Sequence, residues 1–114
     1  MDFHDDLKLN MHKYVKFIYE ITKKFPKDEL YGVTSQIRRA AISVILNYIE
    51  GYARRRGKNC KIYNNFLEIS YGSLKETKYL LFFSYEECYI TQEEYEIGIR
   101  LSDKIGKMIW SLIK

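Results

Sequence analysis

The sequence predicts an all-α protein, an antiparallel up-down-up-down bundle of four helices in one domain spanning residues 1–114. Three observations carry that expectation. Apolar residues recur at steps of three and four along four separate stretches, the spacing of helices with one buried face. The stretches are joined by short connections, which favours antiparallel neighbours, and a single proline falls in one of those connections. The composition, 46% hydrophobic and 30% charged, fits a chain that buries a core and excludes a disordered one.

The first helix is expected from about Asp5 to Lys24, on a stripe of Leu7, Met11, Tyr14, Ile18 and Ile21. Phe25-Pro26 ends it, because proline lacks the amide hydrogen and disfavours helical geometry in the residue before it. After Tyr31-Gly32, Thr34 reads as the N-cap of a second helix. That helix presents Ile37, Ala41, Val44, Tyr48 and Tyr52, with Ile42, Ile45 and Ile49 widening the apolar face. Gly57 is a better terminus for it than Gly51, since a glycine past the last turn takes left-handed geometry easily. Arg54, Arg55 and Arg56 then fill the last turn and match the negative end of the helix dipole. Gly51 falls inside the helix at about 1 kcal/mol relative to alanine, a sign of close approach by a neighbouring backbone. Asn59 is expected to cap the third helix, which runs to about Glu87 on Tyr63, Phe66, Leu67, Ser70, Leu74, Thr77 and Leu81. The fourth opens on a capping box of Thr91 and Glu94, with Ile90 and Tyr95 at the spacing of a hydrophobic staple. Tyr95, Ile99, Ser102, Ile105, Ile109 and Leu112 continue it.

No catalytic, metal or cofactor site is legible. Four-helix bundles that hold metals place a histidine three residues after a glutamate, and neither His4 nor His12 is so placed. Cys60 has basic neighbours but no histidine nearby in sequence to serve as its base, and Cys88 is too far along the third helix to be its local partner. Both cysteines are expected to be reduced. The acidic start "MDFHDDLK" does not resemble a signal peptide, and the longest apolar run, Tyr79 to Tyr85, is too short for a membrane span. A non-enzymatic, cytoplasmic protein is the expectation.

The stretches "ITKKFPKDELYGVTSQIRRAAISV", "NYIEGYARR", "NNFLEISYGSLKE" and "YITQEEYEIGIRLSDKIGKMIWSLIK" cover almost the whole chain. Together they resemble the four-helix-bundle family of proteins encoded in 23S ribosomal RNA intervening sequences, the S23-type proteins. The family includes the accessory variability protein of diversity-generating retroelements. That resemblance implies a homopentameric barrel of bundles that binds nucleic acid and a reverse transcriptase. Ile45 and Leu46 stand where family members often have a proline and small residues, and Ile62 where a glutamate is common.

Charge gives the resemblance a surface to act through. From Arg38 to Lys61 the chain carries +6, against +4 for the whole, while Ser84 to Ile97 holds five glutamates and no basic residue. Antiparallel topology would put Arg54, Arg55, Arg56, Lys58 and Lys61 at one end of the bundle and the glutamates at the other. Arginines multiplied around a ring would attract the phosphates of RNA or DNA without reading bases. Tyr48, Tyr52 and Tyr63 offer stacking if exposed, although helical spacing favours core or interface for them. Arg38 and Arg39 complete the candidate nucleic-acid-binding set; pointing about 100° apart, at least one could instead pair with a glutamate such as Glu50 or Glu76 across an interface. Lys104 and Lys107 look isolated. The expected function is a non-catalytic, ring-forming helical protein that binds RNA or DNA, accessory to a reverse transcriptase. The alternative is a homo-oligomeric scaffold that recruits a protein partner, with the arginines as a solvated helix end.

Overall fold

The computed structural model describes residues 1–55 and 60–113. These form four α-helices, α1 (Phe3–Thr22), α2 (Val33–Arg54), α3 (Lys61–Glu86) and α4 (Gln92–Leu112), with a 3₁₀ turn at Lys27–Glu29. The body measures 47 × 26 × 19 Å. α1 and α3 each pack on both α2 and α4, so the helices follow one another around the bundle. Contacts join the start of one helix to the end of its neighbour. His4 meets Tyr52, Tyr19 meets Arg38, Phe82 meets Tyr95 and Lys24 meets Glu94. That pattern is the one an up-down-up-down order requires.

The predicted stripes are the core. Leu7, Met11, Tyr14 and Ile18 of α1 pack with Ile37, Ala41, Val44 and Tyr48 of α2, Leu67, Leu74 and Leu81 of α3, and Ile105 and Ile109 of α4. Each aliphatic side chain so buried stabilises the fold by about 1.5–3 kcal/mol. Among the described residues the buried side-chain polar groups are satisfied, as burial demands. The Tyr14 hydroxyl crosses the core to Thr77 Oγ1 at 2.7 Å, and Ser70 Oγ donates to the Val44 carbonyl at 2.6 Å. Burial pushes the Tyr14 phenol well above its ordinary value.

The ends differ from the sequence expectation in physically specific ways. α1 begins earlier than Asp5 because Asp2 caps it, accepting the Asp5 amide at 2.7 Å. Phe3 in that turn is exposed, so no apolar periodicity announced it. Thr34 is not the cap of α2: it is buried inside the first turn, behind Gly32. The Val33 amide is met instead by the Glu29 carboxylate at 3.3 Å. Asn59, the expected cap of α3, lies outside the described residues; the residue ahead of the helix is Cys60, which makes no side-chain cap bond. The capping box of α4 is present in both halves, Glu94 N to Thr91 Oγ1 at 3.1 Å and Thr91 N to Glu94 Oε1 at 2.9 Å.

Gly51 is inside α2, as expected, and the close neighbour is on α3. A Cβ there would lie 2.6 Å from Phe66 Cβ and 3.3 Å from Tyr63 Cδ1. Phe66 Cβ is fixed to its backbone, so the glycine lets the two helices meet.

Candidate nucleic-acid interface

α2 ends at Arg54, so of the arginines expected in its last turn Arg54 is inside the helix and Arg55 beyond it. Arg54 Nε donates to the Glu50 carboxylate one turn back, at 2.6 Å. Arg55 has already left the helix, with φ −68° and ψ 125°. Its side chain folds back, Nη1 donating to the Tyr52 carbonyl at 3.3 Å while the guanidinium carbon sits 3.6 Å from the centre of the Tyr52 ring. Both arginines are exposed, as is Lys61 at the start of α3. Arg56 and Lys58, with Gly57, lie outside the described residues.

The tyrosines of this end are occupied. The His4 ring stacks on Tyr52 with centres 3.4 Å apart and planes 15° apart. Two planar groups cannot share one face at such distances, so Tyr52 lies between the His4 imidazole and the Arg55 guanidinium and offers no face to a base. Tyr48 is buried, its hydroxyl 2.7 Å from His4 Nδ1. Tyr63 meets Tyr52 edge-on at 6.4 Å. Burial, then the charge of Lys8, holds His4 below the ordinary imidazole value, and burial pushes the Tyr63 phenol up. The partners of His4 lie 44 and 48 residues away in sequence, and only the antiparallel return of α2 brings them together.

Arg38 and Arg39 belong to the opposite end. Arg38 precedes Arg54 by 16 residues on the same helix, about 24 Å at 1.5 Å per residue. Arg38 Nε donates to Thr22 Oγ1 at 2.8 Å, with its guanidinium 4.6 Å from the Tyr19 ring; Arg39 is exposed. Neither pairs with Glu50 or Glu76 within the chain. The candidate residues therefore form two groups.

Charge is less segregated in space than along the sequence. The start of α1 brings Asp2 and Asp5 to the basic end, where both act on His4 together with Arg55. At the other end Glu86, Glu87, Glu93 and Glu96 share the surface with Lys23, Lys24 and Lys27 from the α1–α2 connection, and Lys24 pairs with Glu94. Among the described residues no cluster of His, Cys, Asp or Glu could hold a metal ion, and no helix is long and apolar enough to cross a membrane. Cys60 and Cys88 form no disulfide.

A model of the 23S rRNA-intervening sequence protein family matches residues 7–111. The chain belongs to that family. A solved structure from the S23 ribosomal protein family, a protein with unknown function from Bacteroides thetaiotaomicron, is similar with a TM-score of 0.81 and 25% identity over 95% of this chain and 98% of that one. No curated protein matches the sequence. The match to the 23S rRNA-intervening sequence protein family includes both arginine groups, all of α2 and α3 and most of α1 and α4.

Proposed function

We propose that this 23S rRNA-intervening sequence protein is a non-catalytic helical protein that assembles into a ring, a homopentamer, and binds RNA or DNA through the basic end formed by Arg54, Arg55, Lys61 and the intervening Arg56 and Lys58. The reading extends to an accessory role beside a reverse transcriptase. The observation that carries it is the presentation of Arg54 and Arg55. Each guanidinium is exposed and held by a partner on its inner side, Glu50 for one and Tyr52 for the other. An exposed ion pair such as Arg54–Glu50 is worth only about 0–1 kcal/mol, so a phosphate can compete for that guanidinium. With the tyrosine faces occupied, recognition is of the phosphate backbone and indifferent to base sequence.

The test is binding of labelled RNA and DNA across a salt series, by fluorescence anisotropy. Replacing Arg54, Arg55 and Arg56 with glutamine should flatten the salt dependence while the melting temperature stays put, because charge at an exposed helix end is worth only about 0.3–1 kcal/mol. A parallel Arg38→Gln/Arg39→Gln variant reports on the far end separately. Absence of salt-sensitive binding in the wild type would leave the second reading, an oligomeric scaffold for a protein partner. That reading draws on the exposed Leu46, Ile49, Ile62 and Ile69 along the outer faces of α2 and α3.

A further inference from the structure

A cleft of about 240 Å³ opens between α3 and α4, on helices that carry none of the candidate arginines. One wall is aromatic: Tyr71 and Trp110, ring centres 5.4 Å apart and planes inclined at 43°. Trp110 is the single tryptophan of the chain and is 63% exposed, although no other side chain has so much apolar surface to hide. Three lysines, Lys75, Lys78 and Lys107, stand around it against one acid, Asp103. Lys78 is taken by Asp103 at 2.8 Å. Lys75, 5.2 Å from the Tyr71 ring, and Lys107 make no ion pair among the described residues. Gly106 keeps the floor open, since a Cβ there would reach only ordinary contact with Leu74 Cδ2 at 3.4 Å and Tyr71 Cε1 at 3.7 Å while filling the space above them.

The cavity is below the roughly 300–1,000 Å³ of drug-sized ligand pockets, and it suits one planar ring system. An exposed indole supplies a stacking face, and two unpaired ammonium groups supply the charge for an anion attached to that ring. The polar side chain of the floor, Ser102, donates to the Ile99 carbonyl at 3.0 Å and reads no base edge. We propose that this cleft binds a nucleotide, its base stacked on Trp110 and its phosphate held by Lys75 and Lys107, without selection among bases. The nucleotide is either free or one unit of a single strand. The site is independent of the basic end, and its validity does not rest on the function proposed above.

Trp110 is its own reporter. The full-length protein, excited where nucleotides do not absorb, is titrated with adenosine 5′-monophosphate, with adenosine and with a short oligothymidylate. Saturable change of Trp110 emission is expected with the monophosphate or the oligonucleotide, and a weaker one with adenosine. The monophosphate responding alone identifies the free nucleotide; the oligonucleotide responding identifies a strand. Lys75→Gln/Lys107→Gln should weaken the response about tenfold, and Trp110→Ala should lower affinity by a similar factor in an anisotropy assay with labelled nucleotide. No saturable change with either phosphate-bearing probe overturns the proposal, as does an undiminished response in the lysine variant. Emission that instead follows protein concentration also overturns it, by making Trp110 a contact between copies. Salt-sensitive strand binding abolished by the arginine variant, with Trp110 silent, leaves the basic end standing and removes the cleft; a response to the monophosphate without strand binding does the reverse.

Discussion

Cys88 is the one non-glycine residue with positive φ among those described, at 62°. It follows the end of α3, where the Cys88 amide donates to the Tyr85 carbonyl at 3.0 Å and the Tyr89 amide to the Ser84 carbonyl at 2.8 Å. These two bonds make a Schellman ending, in which the left-handed position normally belongs to glycine. A Cβ there costs about 1–2 kcal/mol, partly offset by the greater unfolded freedom of glycine. Cys88→Gly should therefore raise stability by about 1 kcal/mol in urea unfolding, and a loss of stability would mean that the exposed thiol has an unrecognised packing role. His4 gives a pH dependence. Because the fold holds its imidazole below the ordinary value of 6.5, the unfolded chain takes up the proton first, and stability present above that pH is lost as pH falls toward the folded value. The same imidazole makes the 2.7 Å hydrogen bond between Nδ1 and the Tyr48 hydroxyl. Melting temperature should fall on going from about pH 7 to 5, and less steeply in His4→Gln. Parallel curves would assign the acid sensitivity to other groups.

At the level of the helices, α2 and α3 meet closely at Gly51. Gly51→Ala gains up to about 1 kcal/mol of helix propensity but sets a methyl 2.6 Å from Phe66 Cβ, which cannot rotate away. Overpacking of this kind costs about 1–3 kcal/mol, so net destabilisation is expected by chemical denaturation. A neutral or stabilising result would show that the helices separate easily at this point. The seam was legible as an unexplained glycine inside an apolar helix, and the helices themselves were legible from spacing alone. The ends were not, because caps rest on single side-chain bonds: Asp2 precedes any apolar signal, and Glu29 reaches Val33 from outside the helix. The basic end was legible as an arginine run, but its geometry was not. Arg55 leaves the helix to lie on Tyr52, and Tyr52 is covered on its other face by a histidine from the far terminus of another helix. The α3–α4 cleft left only a faint trace, two matched spacings of Tyr71, Lys75, Lys78 and Asp103, Lys107, Trp110, in which Lys107 looked isolated because Tyr71, Lys75 and Lys78 are on another helix.

For the molecule as a whole, the exposed aliphatic residues Leu46, Ile49, Ile62 and Ile69 are the strongest argument for self-association, since a lone 13.7 kDa bundle gains nothing from leaving them in water. Multi-angle light scattering should find a discrete species near five times the chain mass, and Leu46→Glu/Ile69→Glu should dissociate it with the helical signal retained. A wild-type monomer at micromolar concentration would remove both the ring and the scaffold readings. The interlocked α2–α3 seam also has a consequence in time. Its contacts, such as Gly51 with Phe66, join residues close in sequence, whereas docking α1 on α4, as Lys24 does with Glu94, must close a loop of 70 residues. The entropy of closing a loop rises with its length, so the central hairpin should form before the outer helices settle and outlast them when the bundle opens. Native-state amide exchange should then find the slowest protons around Val44 and Ser70, with those of α1 and α4 released together through a smaller opening that leaves the hairpin closed.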